Sequence, residues 1–248
     1  MRLLALLLAL LLSVPAAEAK VRLRSLHHIA IDPGHGGQNH GTAGSQGVWE
    51  KVLTLPIALK LEALLLARTD ARVTMTRRDD SSLGLRERTR IANKAGADLF
   101  LSIHLNAGLE PDAHGVEVYF LSADVATGEI AKLVLREEPQ GPGAPSRERT
   151  PLSLDQMLAD AQLAKAHADS ELVAEVILDS LHRVLGSPRR GVFQAPFGVL
   201  LEAQMPAVVV EVGFLSHPIE GKRLTKAPYQ RNVALAIYQA ILTLDREL

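Results

Sequence analysis

The chain has no cysteine in its 248 residues. That excludes a disulfide framework, a thiol nucleophile, a cysteine-ligated zinc and an iron–sulfur cluster. Any metal must be held by histidine and carboxylate. An excess of charge of either sign is also missing: 27 Lys+Arg against 28 Asp+Glu leave a formal net charge of −1. This removes the basic footprint of a nucleic-acid binder. No apolar run reaches the roughly 20 residues that a spanning helix needs. There is no GxxxxGK[ST] phosphate loop, no G-x-S-x-G serine-hydrolase turn and no internal repeat. The remainder, 47% hydrophobic and 22% charged, is the composition of a globular protein.

The first residues, MRLLALLLALLLSVPAAEAK, differ from the rest. Arg2 supplies a positive start, Leu3 to Leu12 an unbroken apolar stretch, and Ala17-Glu18-Ala19 a small-x-small cleavage signal. This reads as a secretory signal peptide over residues 1–19, without the cysteine of a lipoprotein signal or a twin arginine. Export is the expectation, with the periplasm as compartment and secretion as the alternative. Residues 20–248 are expected to form one domain.

Along that stretch short apolar runs alternate with longer amphipathic ones, the pattern of an α/β protein. Strands are expected at His28–Ile31, Arg72–Thr76, Leu99–His104, Gly115–Leu121, Gly198–Leu201 and Ala207–Val212. Helices are expected from about Trp49 to Arg68, where Pro56 marks a start or a kink, at Leu85–Ala95 closed by Gly96, at Gly128–Arg136, at Leu154–Leu185 and at Tyr229–Leu244. A Pro/Gly-rich insertion around residues 136–152 reads as a loop.

Three apolar strands carry a chemically useful residue at or near their C-terminal ends: IAIDPGHGG with His35, LFLSIHLNA with His104 and VVVEVGFLS with Glu211. Open α/β sheets gather ligands at that edge. Two histidines and a carboxylate are the ligand set of hydrolytic zinc sites, which leave a fourth position open and employ a further carboxylate as general base. Glu50, which follows the glycine-rich loop and opens a helix, is the natural fourth residue, although a helix-start acid also suits the dipole. Glu211 is the hardest to explain otherwise, because a carboxylate inside VVVEV needs a metal, a partner or a proton.

Several segments now combine. IDPGHGG, the Glu50-Lys51 pair opening a helix, Leu85-x-x-Arg88-x-x-x-Ala92-Asn93, ADLFLSIHLNA, GVEVYFLS and GVFQAPFGVLLEAQMPAVVVEVGFLSHP follow one another from about His27 to the C-terminus. In that order they resemble the zinc-dependent N-acetylmuramoyl-L-alanine amidases of the Amidase_3 family. The resemblance implies a mixed six-stranded sheet with helices on both faces. It implies one zinc ion held by His35, Glu50 and His104, and Glu211 as the catalytic carboxylate. The implied reaction is hydrolysis of the amide between the lactyl group of N-acetylmuramic acid and L-alanine in peptidoglycan.

Asp32 and Asn106 are candidates to orient His35, His104 or substrate; turn capping and loop hydrogen bonding explain them equally well. Leu105 and His40 depart from the usual pattern, and His40 is expected to be exposed rather than a ligand. Some relatives carry an added helix that blocks the zinc until an activator moves it, so a protein activator joins peptidoglycan among the implied partners. Here GEIAKLVLREEPQ resembles the ordinary helix, and Glu137, Glu138 and Asp155 read as solvated charge rather than blocking ligands. Two other functions use the same residues: a zinc peptidase or carboxypeptidase cutting a different bond, and a wall-binding regulator with a dead site.

Overall fold

A computed structural model describes residues 20–110, 112–121 and 154–248. The expected signal peptide, the helix at 128–136 and the insertion around 136–152 lie outside the described residues. Six strands form one mixed sheet in the order β2-β1-β3-β6-β4-β5. They are β1 (His28–Pro33), β2 (Arg72–Met75), β3 (Leu99–Asn106), β4 (Val116–Phe120), β5 (Arg189–Gln194) and β6 (Ala207–Phe214). The first four in spatial order run parallel; β4 pairs antiparallel with β6 and carries β5 parallel to itself.

Five helices lie among the described residues: α1 (Lys51–Arg68), α2 (Leu85–Ala95), α3 (Leu154–Leu185), α4 (Pro218–Leu224) and α5 (Ala227–Glu247). Side-chain alternation in the strands decides what each sheet face meets. In β3, Leu99, Leu101, Ile103 and Leu105 enter the larger core with residues of α1, α3 and α5. Phe100 turns to the other face and joins Ala92 of α2 and the 199–205 turn. Further along that second face the same alternation brings up Ser102 and His104, so one face changes from apolar to polar towards the end of the strand. Fully burying one of these aliphatic side chains contributes about 1.5–3 kcal/mol, and this fixes the register against a slip that would exchange the faces.

Most expected elements are present with boundaries shifted by a few residues. The helix from Trp49 starts at Lys51, and Pro56 sits inside it rather than at its start. Gly96 closes α2 in the left-handed conformation, φ 64°, with its N–H donating to the last carbonyls. The expected strand at Gly198–Leu201 is instead a turn, in which Leu200 N–H donates to the Phe197 carbonyl; Val199 and Leu200 are buried in the small core and Leu201 packs partly against it, rather than pairing in the sheet. β5 and α4 are additional. β5 reads RRGVFQ, an edge strand with little buried surface, and α4 is a seven-residue helix capped by the His217 side chain, which accepts from Glu220 N–H. No described helix is long and apolar enough to cross a membrane.

Candidate metal centre

The sheet reverses its direction of growth at β1: one crossover leads out to β2, the next returns past β1 to β3. The crevice at the C-terminal ends of β1 and β3 is therefore a switch point, where open α/β sheets bind ligands. His35 follows β1 and His104 lies near the end of β3. Glu50 precedes α1, which packs beneath.

These three residues meet. His35 Nε2 is 3.0 Å from Glu50 Oε2, and His104 Nδ1 is 2.9 Å from Glu50 Oε1. The imidazoles stand edge to face with centroids 4.8 Å apart. One ligand atom from each residue falls within a 4.8 Å group, an arrangement that could hold a metal ion. The Glu50 carboxylate also accepts backbone N–H bonds from Thr42 and Leu105, so its oxygens are held in place by the backbone as well as by the imidazoles. His35 Nδ1 pairs with Asn39 Oδ1 at 2.8 Å, which leaves Nε2 for the cluster.

The loop backbone is bent to suit. His35 is the one described non-glycine residue with positive φ, 59°. Gly41 is required by contact as well as by its φ of 70°: a Cβ there would stand 2.5 Å from Glu50 Oε2 and 2.7 Å from His35 Cδ2. Two buried arginines grip the preceding turn. Arg77 donates to the carbonyls of Pro33 and Gly34. Arg88 donates to those of Pro33 and His35, 2.8 and 2.6 Å. Three successive carbonyls are thus held by two guanidinium groups. Burial, then the charge of Arg88, pushes Arg77 below its ordinary value.

Asp32 works through this clamp rather than on an imidazole. Its fully buried carboxylate pairs with Arg88 at 2.7 Å and accepts from Thr76 and Ser102 hydroxyls. Asn106 likewise turns away from the histidines: its Nδ2 donates to Glu117 at 2.6 Å and its Oδ1 accepts from Ala107 N–H. His40 is exposed and lies against Trp49, ring centroids 5.1 Å apart.

Glu211 is the direct cross-strand partner of His104 on β3 and of Glu117 on β4. Directly opposed residues share a sheet face, so His104, Glu211 and Glu117 form a row. Glu117 is saturated, accepting from Asn106, from Tyr119 at 2.8 Å and from Arg190 at 2.5 Å. Glu211 has a buried Oε2 without a hydrogen-bond partner among the described residues. Burial, then the negative charge of Glu50 and Glu117, pushes its carboxyl well above the usual range. Glu50 goes the other way. Burial pushes it up, but the hydrogen bonds and charge of His104 and His35 override this and hold it well below the usual range. His35 rises: burial lowers it, and the bond and charge of Glu50, with Asn39, outweigh that. The two carboxylates of one crevice are thus pushed in opposite directions, Glu50 by the histidines that bond it and Glu211 by burial with no such partner.

Arg77, Glu117 and Arg190 escape a reading of the sequence, and Arg88 enters it only as part of the Leu85-x-x-Arg88-x-x-x-Ala92-Asn93 segment, without a role. Arg88 lies in LRERTR, where it resembles its solvated neighbours. Glu117 had one signal, an acid between valines in GVEVYF, the same anomaly that marks Glu211.

The chain matches the family Amidase_3, described as N-acetylmuramoyl-L-alanine amidase, over residues 29–243. Among curated relatives it is 34% identical over 220 residues to the probable N-acetylmuramoyl-L-alanine amidase AmiB of Haemophilus influenzae, covering 86% of this chain and 51% of that protein. It is 33% identical over 218 residues to AmiA of Escherichia coli, covering 87% and 75%. The chain therefore spans about half the length of the first of these relatives and three quarters of the second. Among solved structures, the catalytic domain of CwlV, the amidase from Bacillus (Paenibacillus) polymyxa, superposes with a TM-score of 0.67 at 27% identity, covering 88% of this chain and 97% of that domain. The CwlD amidase from Clostridioides difficile, solved in complex with the GerS lipoprotein, gives 0.66 at 27% identity over 88% and 98%. With its six-stranded α/β sheet and its crevice, the chain belongs to the N-acetylmuramoyl-L-alanine amidase family Amidase_3.

Proposed function

We propose that this chain hydrolyses the amide between N-acetylmuramic acid and L-alanine in peptidoglycan, with one zinc ion held by His35, Glu50 and His104. The observation that carries the reading is Glu211, placed directly across the strand pair from His104 with a buried Oε2 that has no hydrogen-bond partner among the described residues. The donor set fits zinc: two imidazole nitrogens and one carboxylate oxygen from three separate elements, with no thiolate available. Zinc bound there supplies a Lewis acid that polarises the scissile carbonyl and makes water a better nucleophile. Glu211 takes the proton from the attacking water and delivers it to the leaving L-alanine nitrogen. Its upward shift suits the first step, since a carboxylate that holds a proton more tightly is the stronger base towards the attacking water. Arg77, Arg88 and Asp32 hold the His35 loop in place, and Asn39 orients the His35 ring.

Export to the periplasm, prompted by the leucine-rich leader, brings such an enzyme to its substrate. The neighbour solved with a lipoprotein supports looking for a protein partner here as well. The test is zymography on purified sacculi with and without chelator, followed by mass analysis. Clearing that chelator abolishes and zinc restores, with intact stem peptides released from glycan, is the expected result. Cleavage inside the peptide would make the chain a zinc peptidase. Bound zinc without turnover would make it a wall-binding regulator.

A further inference from the structure

Arg190 is the charged side chain beside this row that the proposed reaction leaves unused, and two strand irregularities put it there. β5 carries one more residue than β4 at this point: Val116 faces Arg189, while Glu117 faces Gly191. A bulge of this kind re-aims a side chain. Arg189 turns to Asp179 and Glu175 on α3; Arg190 turns to the opposite face and reaches Glu117 with Nε. A second irregularity, in β6, lets His104 face Glu211 and Asn106 face Phe214. This brings the Phe214 ring under Arg190, whose guanidinium carbon lies 4.8 Å from the ring centroid. The guanidinium is thus fixed by one N–H and one face. It is planar with five N–H donors, the side chain is 41% exposed, and the bond to Glu117 occupies Nε alone.

Strand order then gives the substrate a direction. β3, β6, β4 and β5 present His104, Glu211, Glu117 and Arg190 in turn. The scissile carbonyl belongs over the His35/Glu50/His104 cluster, and the leaving nitrogen must face Glu211. The bond therefore points from β3 towards β6. Its glycan half lies on the β1 side and its peptide half continues over β4. Strands are about 4.8 Å apart and a chain advances about 3.3–3.6 Å per residue. Arg190, reaching back as far as Phe214, thus meets the peptide within about two residues of the leaving nitrogen.

We propose that Arg190 binds a carboxylate on the residue that follows L-alanine, and so selects stem peptides in which that group is free. The proposal rests on the amidase reading, and its test separates the two. Matched muramoyl tripeptides are prepared with the second residue's carboxyl either free or as the carboxamide, and kcat/KM is measured with zinc-loaded protein. The wild type should prefer the free acid by about 10- to 100-fold, the value of one charge-assisted bidentate contact. Arg190→Gln should bring that ratio close to one, and Arg190→Lys should leave it in between. A wild type that cleaves both with equal efficiency overturns the carboxylate site and leaves the amidase reading standing; this comparison needs no variant to fold. A ratio unchanged in Arg190→Gln places Arg190 behind Glu117 as a structural pair and likewise overturns the site. A wild type that cleaves neither peptide overturns the amidase reading, and the role of Arg190 falls with it.

Discussion

A Cβ on Gly34 would stand 2.4 Å from both Cε1 and Nε2 of His104. The first glycine of the loop therefore supports the second histidine on bare backbone. Gly34→Ala must push the ring out of line with Glu50. We expect zinc affinity to fall at least tenfold, the low end of what disturbing a ligand's support costs. Competition with a chromophoric chelator measures it, and an unchanged circular dichroism spectrum assigns the loss to the site. Unaltered affinity would mean that the ring contributes nothing to metal binding.

Glu50 and Glu211 should separate binding from chemistry. Glu50→Gln removes the anionic ligand and should cost the protein its stoichiometric zinc. Glu211→Gln should retain the metal but lower turnover on sacculi by about 10²–10⁴-fold, the usual contribution of a positioned acid–base group. Metal analysis and dye release on the same two samples read both results. Zinc retained at wild-type level by Glu50→Gln, or wild-type turnover by Glu211→Gln, would remove that residue from its role.

Arg88 and Asp32 are both buried and paired at 2.7 Å. Arg88→Met leaves the Asp32 charge uncompensated and frees the His35 carbonyl, while Arg77 still holds that of Pro33. Denaturant titration should show a loss of about 3–5 kcal/mol. Adding Asp32→Asn to Arg88→Met should recover part of that loss, since the orphaned charge goes with it. Strict additivity of the two substitutions would argue that they do not act as a pair.

His167 on α3 is buried, and neither ring nitrogen has a partner among the described residues. Burial pushes its pKa below the ordinary 6.5. The unfolded chain therefore takes up a proton at a higher pH than the folded one. Stability is full above about 6.5 and declines as pH falls from there, until the folded form titrates too. His167→Leu should flatten this part of the pH–stability curve. Thermal melts of both proteins between pH 7.5 and 5 test it, and parallel curves would exclude His167 as the source.

What the sequence disclosed and what it hid have the same origin. His35, His104 and Glu211 interrupt or end apolar runs, so their chemistry stands out from a background that burial makes uniform. Glu50 is marked by the glycine loop before it. The short continuous apolar runs of β1, β3 and β6 foretold the sheet for the same reason. By contrast, Arg88 is one of several charges on a short helix, and only the packing of α2 turns it inward. Arg190 is one of two adjacent arginines, and a single extra residue in β5 decides which faces the crevice. β5 itself buries too little to leave a periodic trace, and the turn at Gly198–Leu201 buries apolar side chains without joining the sheet, which made it look like a strand.

The grip of Arg77 and Arg88 on three consecutive carbonyls has a consequence for how the centre is filled. In a small zinc finger the ion organises the chain, and its binding energy is spent on folding. Here the turn is already fastened by groups that never touch the ion. A metal ion entering this group would meet ligands already held in place, so its binding would appear as tighter capture rather than as ordering of the chain. The protein should therefore tolerate being stripped of metal and refilled repeatedly without losing its shape.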